Sequence, residues 1–244
     1  MKKRIISLLL ALIMALSLLP VSVLAADDHT GQVHVTVENT TWAEADGAPW
    51  EGMLVDEWVT LQDDSSMMSC IVDALTAGGY SQTGADTGYI SEINGIEEKA
   101  AAEGSGWMGT LNDWFVNEGF QSFRVGGRGT YELADGDYLN IVFTQNLGED
   151  VGSLWGNSDT SLEDLHISGG TLAPRFDGDT LEYTLSITGN SARVTVTPTA
   201  VNKNYMVKTF LNRYNRDSAF YKRTESITVK PGDILYIGVG DPSW

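Results

Sequence analysis

Gly104 to Gly119 reads GSGWMGTLNDWFVNEG and sets two tryptophans among glycines and small polar residues. Trp107, Met108, Leu111, Trp114, Phe115 and Val116 stand beside Gly104, Gly106, Gly109 and Gly119, where the backbone takes positive φ at no steric cost. A helix through this stretch would lose about 1 kcal/mol at each interior glycine relative to alanine. Asn112 and Asp113 favour a turn, because their side chains bond nearby backbone and tolerate the left-handed region. The stretch therefore predicts a strand, an Asn112-Asp113 turn and a second strand.

The flanking sequence extends this β-rich reading. QVHVTVE, from Gln32 to Glu38, alternates Val33, Val35 and Val37 with polar residues, the period of a half-buried strand. Thr40 to Gly52 has no clean period and reads as a loop that would leave Trp42 and Trp50 exposed; Trp58 to Leu61 reads as a second strand. Asp63 to Ser66 then supplies capping side chains. Met67, Ile71, Ala74 and Leu75 recur at helical spacing until Gly78-Gly79 ends the run. Cys70 lies in this helix as a small half-buried residue. Strands are further expected at Tyr89 to Ile93, Phe120 to Val125, Tyr131 to Leu133 and Tyr138 to Thr144, with a turn at Ala134 to Asp137. One helix laid across a mixed sheet is the α+β arrangement of a β-grasp.

Gln145 to Asp159 is glycine-rich and polar and reads as a linker, with the domain boundary set at 149–160. Beyond it LEDLHIS, LEYTLSI, ARVTVTP, YMVKTFL, SITV and ILYIGV alternate with glycine, proline and aspartate turns, the pattern of an all-β sandwich over 161–244. Asp241 to Trp244 follows directly on a strand, as it would in a truncated piece of a longer repeat protein.

Charge and targeting narrow the function classes. Lys2, Lys3 and Arg4 precede an apolar run from Ile5 to Leu19, and Val23 and Ala25 satisfy the small-residue rule, so residues 1–25 read as a secretory signal peptide. No other apolar run approaches the roughly 20 residues of a membrane span, so no transmembrane span is expected in the mature chain. Without the signal the net charge is near −21, and residues 26–155 carry 23 acids against only Lys99, Arg124 and Arg128. Such a surface is a poor partner for nucleic acid, which needs Lys and Arg to displace counterions. With a single cysteine, no internal disulfide forms and two apolar cores must supply stability. The localisation expected is secreted or extracellular cell surface.

Two resemblances attach to these blocks. VHVTVE, IVDAL, YISEINGI, GSGWMGTLNDWF and ELADGDYLNIVFT make residues 30–148 resemble the DUF4430 family, related to the C-terminal domain of the cobalamin carriers transcobalamin and intrinsic factor. That resemblance implies a β-grasp-like fold and a small-ligand surface. LEDLHISGGTLAPRF, DTLEYTLSI and ARVTVTPTA resemble the bacterial cadherin-like β-sandwich family, with a departure from its usual pattern between Val201 and Tyr221. It implies a spacer or adhesive module on a Gram-positive surface.

Chemistry is sparse. No nucleophile elbow, HExxH, CxxC or Ser-x-x-Lys occurs, and Val125 to Gly129 lacks the Lys-Ser/Thr of a phosphate loop, so no catalytic residue is assigned. His29, His34 and His166 lie apart, and one cysteine cannot complete a zinc set, so no metal site is assigned. The ligand-binding candidates are Trp42, Trp50, Trp107, Asn112, Asp113 and Trp114, because an indole offers a flat apolar face with an N–H donor. For Trp107 and Trp114 the alternative is a place in the core closing the sheet. Lys208, Arg213, Arg216, Lys222 and Arg223 form a basic patch that faces an anionic partner or is simply a solvated strand face. The function expected is an exported, non-enzymatic binding or adhesion module whose partner is a small molecule, a glycan or a surface protein. No cofactor is expected, with cobalamin as a ligand and glycan binding as the alternatives.

Overall fold

The computed structural model describes residues 31–213 and 224–242. The signal segment, and Arg216, Lys222 and Arg223 of the basic patch, lie outside the described residues. The N-terminal unit contains β1 (Gln32–Asn39), β2 (Gly52–Thr60), α1 (Met67–Gly78), β3 (Gln82–Thr83), β4 (Glu92–Ile93), β5 (Ile96–Glu97), β6 (Gly106–Leu111), β7 (Trp114–Phe115) and β8 (Tyr138–Thr144). Its main sheet has the order β2-β1-β8-β6-β7, with β1 and β8 parallel and the other neighbours antiparallel. One helix on a mixed sheet is thus the observed arrangement.

Each element has a local cause. Alternation in β1 sends Val33, Val35 and Val37 to the core, where they are fully buried with Met67, Ile71 and Leu75 of α1. The Ser66 side chain accepts from Ser69 N–H, the Ser69 hydroxyl oxygen accepts in turn from Ser66 N–H, and Gly79 ends the helix at φ 76°. This reciprocal cap satisfies donors that the first turn leaves open, while the left-handed C-cap needs a residue without Cβ. The turn between β6 and β7 has Asn112 at φ 53° and Asp113 at φ 66°, the primed geometry that suits a two-residue hairpin.

Several expected elements differ. β2 begins at Gly52 because the full length of β1 finds partners in the returning chain. The strand expected at Tyr89 shrinks to Glu92–Ile93, since Gly84 and Gly88 take positive φ around a 3-10 turn and Tyr89 N–H bonds back to Gly84 O. The strands expected over 120–125 and 131–133 are 3-10 turns joined by isolated bridges. Their backbone groups serve the start of α1: Met67 N–H bonds Phe123 O and Val125 N–H bonds Ser65 O. The 145–157 segment is pinned rather than free. Gln145 N–H bonds Asp150 Oδ2 at 2.8 Å, and Trp155 Nε1 bonds Leu147 O at 3.1 Å.

The C-terminal unit contains β9 (Leu162–Ser168), β10 (Thr171–Ala173), β11 (Thr184–Ser186), β12 (Ala192–Ala200), β13 (Met206–Leu211), β14 (Glu225–Val229) and β15 (Leu235–Gly240). They form sheets β14-β12-β9, β13-β15 and β10-β11. Leu165, Val194, Val196, Ile227 and Val229 make its buried core, with Leu172, Leu185, Leu211 and Ile237 packed against them from the two smaller sheets. Among the described residues this interior opens on one side as an apolar cleft of about 530 Å³.

The two units meet at a hydrogen-bonded joint. Phe115 N–H bonds Lys203 O at 2.8 Å, Trp114 Nε1 bonds Asn204 O at 3.2 Å, and Ser153 Oγ donates to Asn204 Oδ1 at 2.9 Å. Met206 of β13 is part of the N-terminal core.

Candidate ligand-binding face

The face of the main sheet turned away from α1 carries the polar positions of the same alternation. Antiparallel register sets Trp58 of β2 directly opposite His34 of β1, and parallel register sets His34 beside Tyr138 of β8. Residues far apart in sequence thereby become one row of three rings. His34 stacks on Trp58 at 4.9 Å with 14° between planes, and Tyr138 lies 5.3 Å away at 52°. His34 Nε2 is 2.5 Å from Asp56 Oδ1, with the Asp56 side chain 63% exposed. The next row continues inward: Thr36 Oγ1 is hydrogen-bonded to the Tyr138 hydroxyl at 2.8 Å and to Asn140 Oδ1 at 3.1 Å, while Asn140 Nδ2 donates to Glu38 Oε1 at 2.9 Å.

This face combines an indole that is 38% exposed with fixed acceptors on Asp56, Glu38 and Asn140. Flat apolar area beside oriented polar groups suits a ring that is apolar on its face and polar at its edge. Among the described residues no group of three or more His, Cys, Asp or Glu side chains is placed to hold a metal ion.

The tryptophans singled out from the sequence lie elsewhere. Trp50, expected on an exposed loop, is buried against Trp107 at 5.9 Å, and Trp42 is half-buried on Phe143 at 5.9 Å. The cause is Asn39, whose fully buried side-chain amide donates to both Trp42 O and Trp50 O at 2.7 Å and folds the loop inward. Trp107 and Trp114 are core residues, 4% and 3% exposed, with Trp107 Nε1 bonded to Ile96 O at 3.0 Å. Asn112 serves the hairpin: its Oδ1 accepts from Tyr138 N–H and its Nδ2 donates to Asp137 Oδ1. Asp113 occupies the second left-handed position of that turn. The structure therefore brings Trp50 and Trp107 together, but as packing and not as a surface. Trp58, His34 and Tyr138 were readable as strand residues; their shared row was not, because it depends on register.

Of the basic patch, only Lys208 and Arg213 are among the described residues. Lys208 is 3% exposed, on the strand face that it shares with Met206 and Phe210, and its Nζ donates to Pro242 O at 3.0 Å. A lysine can bury its methylene stem in this way when its ammonium finds a carbonyl. Arg213 is exposed just beyond β13.

Cys70 is fully buried, a correction to its half-buried expectation. Burial, with a smaller push from the Asp73 charge, raises its thiol from 9.0 to about 11. The native state then keeps a proton that the unfolded chain releases, so stability is unaffected below about pH 9 and falls as pH rises through the folded value. Two pK units correspond to about 3 kcal/mol at most. Urea midpoints measured between pH 8 and 10 should fall more steeply for the native protein than for Cys70→Ala. Tyr89, raised from 10.0 to about 12, acts above that window. Equal slopes would show that the thiol ionises normally in the fold.

Comparison with known families places a cadherin-like β-sandwich domain at residues 162–241. Neither the comparison with curated proteins nor that with solved structures returned a match. Cadherin-like β-sandwich domains are often extracellular adhesion-type modules. No helix among the described residues is long and apolar enough to cross a membrane.

Proposed function

We propose that this protein is an exported, non-enzymatic surface module of a Gram-positive bacterium that holds an external glycan at the Trp58-His34 edge of its N-terminal sheet, where Tyr138 is buried behind the two less buried rings. The observation that carries the reading is the Trp58-His34-Tyr138 row flanked by Asp56, Glu38 and Asn140. The basic-then-apolar segment ahead of Ala26 supports export. The cadherin-like domain supports a place at the cell surface, as spacer or adhesive unit. The sheet order β2-β1-β8-β6-β7, with a parallel central pair and one helix after the first hairpin, supports a β-grasp-like N-terminal domain and its likeness to the DUF4430 family.

Pull-down on immobilised cell-wall and plant polysaccharides tests this. Trp58→Ala is expected to lower retention at least about tenfold, the effect of removing an aromatic anchor. Its cost in stability should stay near about 1 kcal/mol, since the indole is already partly in water. Unchanged retention by Trp58→Ala and His34→Ala would remove the face from consideration. A spectral shift on titration with cyanocobalamin, abolished by the same substitutions, would favour the corrinoid alternative over the glycan.

A further inference from the structure

The segment between β7 and β8 holds a second concavity, separate from the aromatic row. It measures about 820 Å³ and is lined by Gln121, Arg124, Gly126, Gly127, Arg128 and Tyr131. Its chemistry runs against its surroundings. Residues 26–155 contain three cations, and Lys99 is paired with Glu103 at 3.4 Å. The other two, Arg124 and Arg128, both line this concavity, and among the described residues neither has a carboxylate within 4.0 Å. Glu118 is at the same concavity without pairing to either. In a unit with 23 acids, leaving both guanidinium groups unpaired preserves their donors for an incoming group.

The backbone that presents them is held firmly. Arg124 N–H bonds Tyr131 O at 3.0 Å, its carbonyl accepts from Gly127 and Leu133 N–H, and Tyr131 N–H bonds Arg128 O. A Cβ on Gly127 would stand 2.1 Å from Tyr131 O, so only glycine permits this approach. Tyr131 is 38% exposed and packs on Phe123 at 5.4 Å, which steadies its ring.

We infer that this concavity is a binding site for the carboxylate of an acidic saccharide, with Arg124 and Arg128 engaging the carboxylate and Tyr131 lying against the sugar ring. A guanidinium fork matches the two oxygens of a carboxylate, and an exposed phenol ring offers an apolar face with a polar tip. The acidic surface around the site repels a dense polyanion, so the ligand suited to it is short or sparsely charged.

The test is NMR titration of the intact exported chain with a disaccharide containing one glucuronate, beside its neutral glucose counterpart and inorganic phosphate. The expected result is saturable shifts of the Arg124, Arg128 and Tyr131 signals with the acidic disaccharide, and none with the neutral sugar. Arg124→Gln with Arg128→Gln should weaken binding about ten- to a hundredfold, as expected for lost charge-assisted bonds. The exposed positions keep the fold, which unchanged shifts elsewhere would verify. Arg128→Lys, which keeps the charge but not the fork, should retain only part of the affinity. No shifts with the acidic disaccharide would overturn the inference. Equal binding of phosphate would overturn its saccharide part, and so would binding that survives both arginine substitutions. Trp58→Ala leaves this site untouched, so failure here and failure of the sheet face are separately visible.

Discussion

Trp107→Ala is expected to cost about 3–5 kcal/mol of stability, the range for deleting a large buried aromatic side chain. Its indole is stacked on Trp50 at 5.9 Å, meets the edge of Phe143 at 5.2 Å, and donates to Ile96 O at 3.0 Å. Truncation removes all three at once and leaves Ile96 O without its side-chain partner. Domains of this size hold only about 5–15 kcal/mol in total, so the variant should approach the limit of folding. Urea unfolding followed by near-ultraviolet circular dichroism checks it. A loss below about 1 kcal/mol would mean that the indole is not packed as described, and would return Trp107 to the list of surface candidates.

Asn202→Ala should be nearly as damaging, and its effect should fall on the joint between the two units. The side chain is 1% exposed. Its Nδ2 donates to Leu154 O at 3.0 Å and Asn157 O at 2.8 Å, while its Oδ1 accepts from Leu154 N–H at 3.3 Å and Asn204 N–H at 3.0 Å. An alanine would leave these partly buried backbone groups short of partners at about 1–3 kcal/mol for each one that water cannot reach. The total expected is about 2–4 kcal/mol, with new protease sensitivity between residues 145 and 160. The reason is that the amide side chain ties this stretch to the turn after β12. Calorimetry combined with limited proteolysis reads both quantities. A variant as stable and as resistant as the native chain would show that the linker holds without Asn202.

Much of the fold was legible because its causes are local. The Val33-Val35-Val37 alternation, the Ser66 cap, the Gly79 stop and the Asn112-Asp113 turn each depend on a few neighbouring residues. The failures also have causes. Phe120 to Leu133 looks strand-like, yet its backbone is drawn to Ser65 and Met67 at the start of α1. Trp50 sits in a stretch without a period, and nothing nearby announces that Asn39 will pull that loop inward. Lys208 reads as a solvent charge until the backbone carbonyl of Pro242 takes its ammonium.

What the amino-acid order determined by itself is therefore a set of elements and their apolar sides: an amphipathic helix, alternating strands, turns and an acidic first half. Tertiary structure alone decided which indoles are sealed and which remain in contact with water. It also decided that Trp58, His34 and Tyr138 form one row, and that Arg124 and Arg128 share one hollow. Side-chain direction within a strand is a property of the local backbone. Adjacency between strands is settled by the register that best buries the opposite face.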